Sequence, residues 1–295
     1  MSAVAGADRV EGAPRAVPSS VTREEPIVEA DIPLIFVIGA VMAFVVMLLP
    51  VVIVVLAGLN SGDYLTFPPQ GLSLRWVIGF LTSQTLRTSY LLSLLIAFVV
   101  MLISTTLGTM AALFLTRVKF PGRSLLRAYF LAPLMLPGLV LGLSLYVFYV
   151  VTNVGLARTL PGLVIGHVLV TVPYVIGTVS AALYNFDVAL EDAARSLGAG
   201  PLRAFRAITL PIISPGVMAG SIFAFIVSFG QFDISLFLST PNITPLPIAI
   251  YNSLRYKFEP TAAAAGVFAI ALVVLSMLLT SRLTSLARFA GIKFS

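Results

Sequence analysis

The chain has no cysteine in 295 residues, which excludes disulfides and thiolate metal sites. It has a single histidine, too few for a His-rich metal centre or a clustered acid–base site. Charge is scarce as well: Asp, Glu, Lys and Arg together make up 10%, against roughly 25% in a soluble globular chain. So few charges cannot cover a water-facing surface. A Gly-x-x-x-x-Gly-Lys-Ser/Thr phosphate loop is missing throughout, so the chain cannot hydrolyse ATP by that means. What is abundant is apolar: 59% hydrophobic residues and a mean hydropathy of +1.05. These values describe an all-α polytopic membrane protein whose outer surface meets lipid. The net charge of +6 lies between apolar runs rather than in an aromatic-laced basic patch, so nucleic acid is not an expected partner.

Residues 1–31 differ from the rest. Ala, Pro and Ser alternate with Asp8, Glu11, Glu24, Glu25, Glu29 and Asp31, the composition of a disordered tail. It does not read as a secretory signal, because the apolar run that follows exceeds a 7–15-residue signal core. Residues 32–290 then form one domain. A spanning helix needs about 20 apolar residues, and six candidates qualify: 32–59, 88–116, 125–151, 160–184, 212–238 and 261–283. Pro133 and Pro137 lie inside the third and Pro173 inside the fourth, where neighbouring helices must satisfy the freed backbone groups. The side that holds both termini carries thirteen of the 18 Lys and Arg residues, which predicts that it is cytoplasmic. On the other side, the spacing of Leu72, Leu74, Trp76, Val77 and Leu81 fits a short amphipathic helix, either lying on the outer leaflet with Trp76 as its anchor or resting as an ordinary surface helix.

The connection between the fourth and fifth spans is long for a loop. Asp187 is placed to cap a short helix in which Leu190, Ala193, Ala194 and Leu197 share a face. Gly198 can end it in the left-handed conformation, and Pro201 suits the first turn of a second helix. Leu202, Phe205 and Ile208 give the second helix its apolar side, and Pro211 is expected to close it. A mixed-charge helix–turn–helix of this kind is either a plain connector or a docking knob for a partner.

The loop resembles the signature segment of ABC importer permeases, whose pattern is Glu-Ala-Ala, three residues, Gly, nine residues, Ile, one residue, Leu-Pro. Here Asp192-Ala193-Ala194, Gly198, Ile208 and Leu210-Pro211 stand at those spacings. Asp192 replaces the usual Glu with a shorter acid, which Glu191 beside it could compensate. The resemblance implies a coupling helix in which Glu191, Asp192, Ala193, Ala194, Arg195 and Gly198 meet an ATP-binding subunit, Gly198 allowing both the turn and a close approach. It also implies the partners: an ATP-binding cassette ATPase dimer that binds ATP and Mg, a second permease subunit (read as a paralogue), an extracytoplasmic solute-binding protein and membrane lipid. This chain itself would hold no cofactor and catalyse nothing, and would sit in a bacterial inner membrane with both termini cytoplasmic.

Within the spans, Asp233 is the only carboxylate and His167 the only histidine. An intramembrane charge is a functional hypothesis by default. Asp233 follows Phe229 and Phe232, and a carboxylate beside aromatic rings suits an amine; an acid at the outer mouth, or one paired with a partner subunit, is the other reading. His167 reads as a helix-packing residue with its hydrogen bonds satisfied. Phe232-Asp233, Leu246-Pro247, Ile250-Tyr251 and Gly71-Leu72-Ser73 with Trp76 resemble the spermidine/putrescine branch of these permeases, which implies a polyamine cargo. The alternatives are another organic cation, an amino-acid-like solute, or an ion-coupled secondary transporter. That last class usually shows internal repeats and several buried charges, neither of which is present.

Overall fold

The computed structural model of the chain describes residues 33–256 and 260–289; the expected tail at 1–31 lies outside them. The described residues are helical, in the order α1 (Leu34–Gly58), α2 (Arg75–Thr82), α3 (Gln84–Arg117), α4 (Arg123–Leu131), α5 (Gly138–Val151), α6 (Leu160–Tyr184), α7 (Val188–Ser196), α8 (Pro201–Ala204), α9 (Leu210–Phe229), α10 (Asp233–Leu238), α11 (Leu246–Tyr256) and α12 (Thr261–Phe289). Five stretches are long and apolar enough to cross a membrane: α1, α3, α6, the continuous run 201–229, and α12. The chain divides into two compact units at residues 46 and 47. In the first unit, residues 34–46 form uninterrupted helix with exposed side chains.

The centre of the second unit is a trio of helices, α3, α6 and α9. The buried residues of α3 include Ser89, Ser93, Ala97, Val100, Ser104, Gly108 and Ala112, spaced three and four apart on one face. Most are small. In lipid, helix association relies on close van der Waals approach rather than on water expulsion, and small residues permit it. Val175 of α6 shows how close the approach is: a Cβ added at Gly108 would lie 2.6 Å from the Val175 Cβ, and one added at Gly220 of α9 would lie 3.0 Å from its Cα. Val175 is thus held between two glycines on two different helices.

Two of the expected spans are broken. The third was expected as one helix over 125–151. Instead α4 passes through a single 3-10 turn at Ala132–Leu134, and its direction differs from that of α5 by 102°. Pro133 and Pro137 account for this: each removes a backbone donor and disfavours helix in the residue before it. The sixth span therefore exists only if this bent pair is counted as one. The fifth, expected as one helix over 212–238, stops at Phe229 and resumes at Asp233 after Gly230–Phe232. Gly230 caps α9, its N–H donating to Ile226 at 3.1 Å.

Pro211 does the reverse of what its position predicts: the helix continues through it. Phe205–Thr209 form a π turn, and the Leu210 N–H reaches back five residues to the Phe205 carbonyl. The wider turn accommodates a residue with no N–H of its own without ending the helix. α8, the π turn and α9 therefore form one rod from the loop into the bundle.

At the opposite end, α2 is helical as expected. Phe80 is buried and stacks on Phe268 at 4.5 Å. The Trp76 indole N–H donates to the Gly62 carbonyl at 3.0 Å, so this ring is fastened to the protein's own loop.

Candidate functional site

The loop between α6 and α9 is built by its end residues. The Asp187 carboxylate accepts the Ala189 N–H at 2.9 Å, which satisfies one of the orphan donors at the start of α7. At the other end Gly198 has φ +87°. Its N–H donates to Arg195 at 2.9 Å and the Ala199 N–H donates to Ala194 at 3.1 Å, the paired bonds of a Schellman cap. No atom would lie within 4 Å of a Cβ at Gly198. Inside this chain, then, the residue is required for its backbone angle and not for room.

The faces of α7 are the notable feature. Its apolar residues point away from the protein: Leu190 is 48% exposed and Leu197 90%, and Asp192 and Ala193 are exposed beside them. The acid that turns inward is Glu191. Its side chain is 4% exposed, with Oε2 2.8 Å from Arg117 Nη1 and Oε1 2.8 Å from Arg195 Nη2. The Thr209 hydroxyl donates to Oε2 at 2.8 Å, and the Arg117 guanidinium lies over the Phe186 ring at 5.5 Å. Burial pushes the Glu191 carboxyl up; the Thr209 hydrogen bond, the charge and hydrogen bond of Arg117 and the hydrogen bond of Arg195 outweigh it and hold the group below the usual carboxylate range. Glu191 therefore cannot stand in on the exposed face for a longer acid at position 192. The sequence groups it with Asp192, Ala193, Ala194, Arg195 and Gly198 as one contact surface. The structure turns its carboxylate inward, away from the exposed Asp192 and Ala193, and ties it to Arg195 as an anchor. The i,i+4 relation of Glu191 to Arg195 was visible in the sequence; the relation to Arg117, at the end of α3, was not.

The second candidate site is less unified than expected. Asp233 opens α10, half-buried, and its carboxylate packs against Gly138, the first residue of α5. The two helix breaks thus meet. Phe229 turns away: it is 4% exposed and packs against Tyr90 at 5.7 Å, within an apolar cluster that also contains Phe80 and Leu86. Phe232 packs on Tyr251 at 5.3 Å. Phe229 is therefore core, and the three residues do not form one aromatic-walled pocket.

His167 is buried and fully hydrogen-bonded, as its packing role predicts. Nδ1 lies 3.0 Å from Ser228 Oγ and Nε2 3.0 Å from Ser235 Oγ. Because Ser235 donates its proton to the Gln231 carbonyl at 2.6 Å, it must accept from His167 Nε2–H, and Ser228 then donates to Nδ1. The imidazole joins the end of α9 to α10 across the break. Among the described residues no three His, Cys, Asp or Glu side chains converge as a metal group would require.

Long apolar helices around a glycine-tight trio, two broken helices and a firmly capped helix on one loop define a multi-span helical membrane protein. Residues 104–286 match the family described as the binding-protein-dependent transport system inner membrane component, and the chain belongs to that family. It is 32% identical over 224 residues to the putrescine transport system permease protein PotI of Escherichia coli, covering 74% of this chain and 79% of that one. It is 34% identical over 213 residues to the molybdenum transport system permease protein ModB of the same organism, covering 67% of this chain and 93% of that one. Among solved structures, a bacterial alginate ABC transporter in complex with an alginate pentasaccharide-bound periplasmic protein shares the fold with a TM-score of 0.64 at 16% identity, over 84% of this chain and 93% of that one.

Proposed function

We propose that this permease subunit forms half of a polyamine import path, for putrescine or spermidine, in a bacterial inner membrane with the α7 loop and both termini cytoplasmic. α7 docks on a separate ATPase that binds ATP and Mg; a second permease subunit completes the path, and a solute-binding protein delivers cargo from outside. ATP-driven closure of the motor moves α7, the spans rock outward, and hydrolysis resets them. This chain contributes shape and coupling, and no catalysis.

The observation that carries the docking role is the pair of opposed faces on α7. An apolar and acidic surface is exposed to water while a buried ion cluster holds the helix rigid, which is what a contact with a protein partner requires. The cargo reading rests on Asp233. Asp233 is the only carboxylate within the expected spans, which favours a cation over an oxyanion, and the putrescine relative points the same way. The test is uptake by the reconstituted complex with its binding protein, supplied in turn with labelled putrescine, spermidine and molybdate. Putrescine or spermidine uptake that falls at least tenfold with Asp233→Asn is the expected result. Uptake of molybdate alone would overturn the cargo, and polyamine uptake indifferent to Asp233→Asn would remove that residue from the path.

A further inference from the structure

The Glu191 cluster joins three parts of the chain that are distant in sequence. Glu191 belongs to α7, Arg117 is the last residue of α3, and Thr209 closes the π turn within the long rod that leads from α8 into α9. One carboxylate holds all three: Oε2 meets both Arg117 and Thr209 at 2.8 Å, and Arg117 Nη2 donates to Thr209 Oγ1 at 3.3 Å. Thr209 is fully buried and Glu191 nearly so. Apart from this cluster, the face of α7 towards the bundle offers little: no other residue of the helix is buried. Apolar packing is therefore not what fixes α7 to the spans.

We infer that Glu191 is a positioning residue whose ion pair with Arg117 and hydrogen bond from Thr209 carry displacement of α7 to the end of α3 and to the α8–α9 rod. The inference rests on the docking role proposed for α7 and adds the path by which a push on that helix leaves it. Two charges and a hydroxyl within hydrogen-bonding distance, largely shielded from water, resist separation far more than a surface pair does. α3 and α9 are the two helices whose glycines close on Val175 of α6, so a displacement delivered at their loop-side ends reaches the close contacts of the helix trio. Arg195, with its side chain half exposed, closes the cluster on the outer side.

The test is hydrogen exchange of the full transporter complex, with and without ATP and vanadate, comparing peptides over 188–196 and 110–117. No transported solute is needed. In the wild type, exchange changes in both segments on trapping. With Glu191→Gln the change at 188–196 is expected to persist while that at 110–117 falls at least threefold. Arg117→Met should do the same, and the double variant should be no worse than either single one. Thr209→Val keeps the charges and serves if those variants fail to assemble; the response at 110–117 is then expected to fall about twofold. An unaltered response at 110–117 in Glu191→Gln, or in Thr209→Val, overturns the inference. A wild type in which 188–196 responds and 110–117 does not would overturn it too. A wild type in which 188–196 itself ignores the motor defeats the docking role, and the inference with it.

Discussion

Two residues, Gly198 and Glu191, settle how the loop helix is held, a third, His167, bridges α9 and α10, and each carries its own prediction. Gly198 is needed for φ +87° and nothing crowds it. Gly198→Ala should thus cost about 1–2 kcal/mol, the penalty of a left-handed angle for an L-residue, and Gly198→Asn distinctly less. Amide exchange in 188–196 reads both, and equal effects of Ala and Asn would refute the backbone account. The Glu191 carboxyl titrates below its usual range. Its stabilisation is therefore complete above the ordinary Glu pKa of about 4.3 and is lost as pH falls through the lower, folded value. Exchange at 188–196 should be flat from pH 8 to 5, after correction for intrinsic rates, and rise only in the acid range. A rise between pH 6 and 7 would contradict the ion-paired geometry. His167→Leu leaves the Ser228 hydroxyl, and one side of Ser235, without a partner in the bundle. About 1–3 kcal/mol should be lost, seen as a lower unfolding temperature in detergent, and an unchanged temperature would show that the bridge adds nothing.

At the scale of elements, α3, α6 and α9 depend on close approach. Gly108→Ala places a methyl 2.6 Å from the Val175 Cβ, and overpacking of this kind costs about 1–3 kcal/mol. Val175→Ala in the same chain should recover part of that loss, and the unfolding temperatures of the two variants and the pair provide the check. The elements also show what was legible in the sequence. α6 runs over Leu160–Tyr184 as its apolar run predicts, since a twenty-residue apolar stretch leaves the backbone no alternative in lipid. The caps of α7 at Asp187 and Gly198 were legible because they are local chemistry. The breaks were only half legible. Pro133 and Pro137 marked one of them but did not give its 102° bend, while the other, marked only by Gly230, Gln231 and Asp233, lay within a stretch long enough to read as one span. Pro211 misled because a proline reads as a stop, whereas the π turn before it lets the rod continue. The burial of Glu191 rests on a partner 74 positions earlier in the sequence, and helical spacing carries no such information.

At the scale of the molecule, the family places this chain as one component of a larger machine, and its surface agrees. Along α1, α3 and α5 large apolar side chains such as Met47, Met110 and Val151 are exposed, at 77%, 63% and 78%, suited to lipid or to neighbouring subunits. Leu190 of α7 and Leu197 just after it are exposed as well. On the docking role proposed for α7, a chain made before its companions carries Leu190 and Leu197 bare, where chaperones and proteases search. If α7 docks as proposed, the same face doubles as a marker of incomplete assembly. The chain expressed alone should be cleared from the membrane faster than the chain expressed with its ATPase, and Leu197→Ser should lengthen the life of the orphan while weakening its capture by the motor. The supply of one subunit would in this way be matched to that of the other by degradation, with no separate regulator.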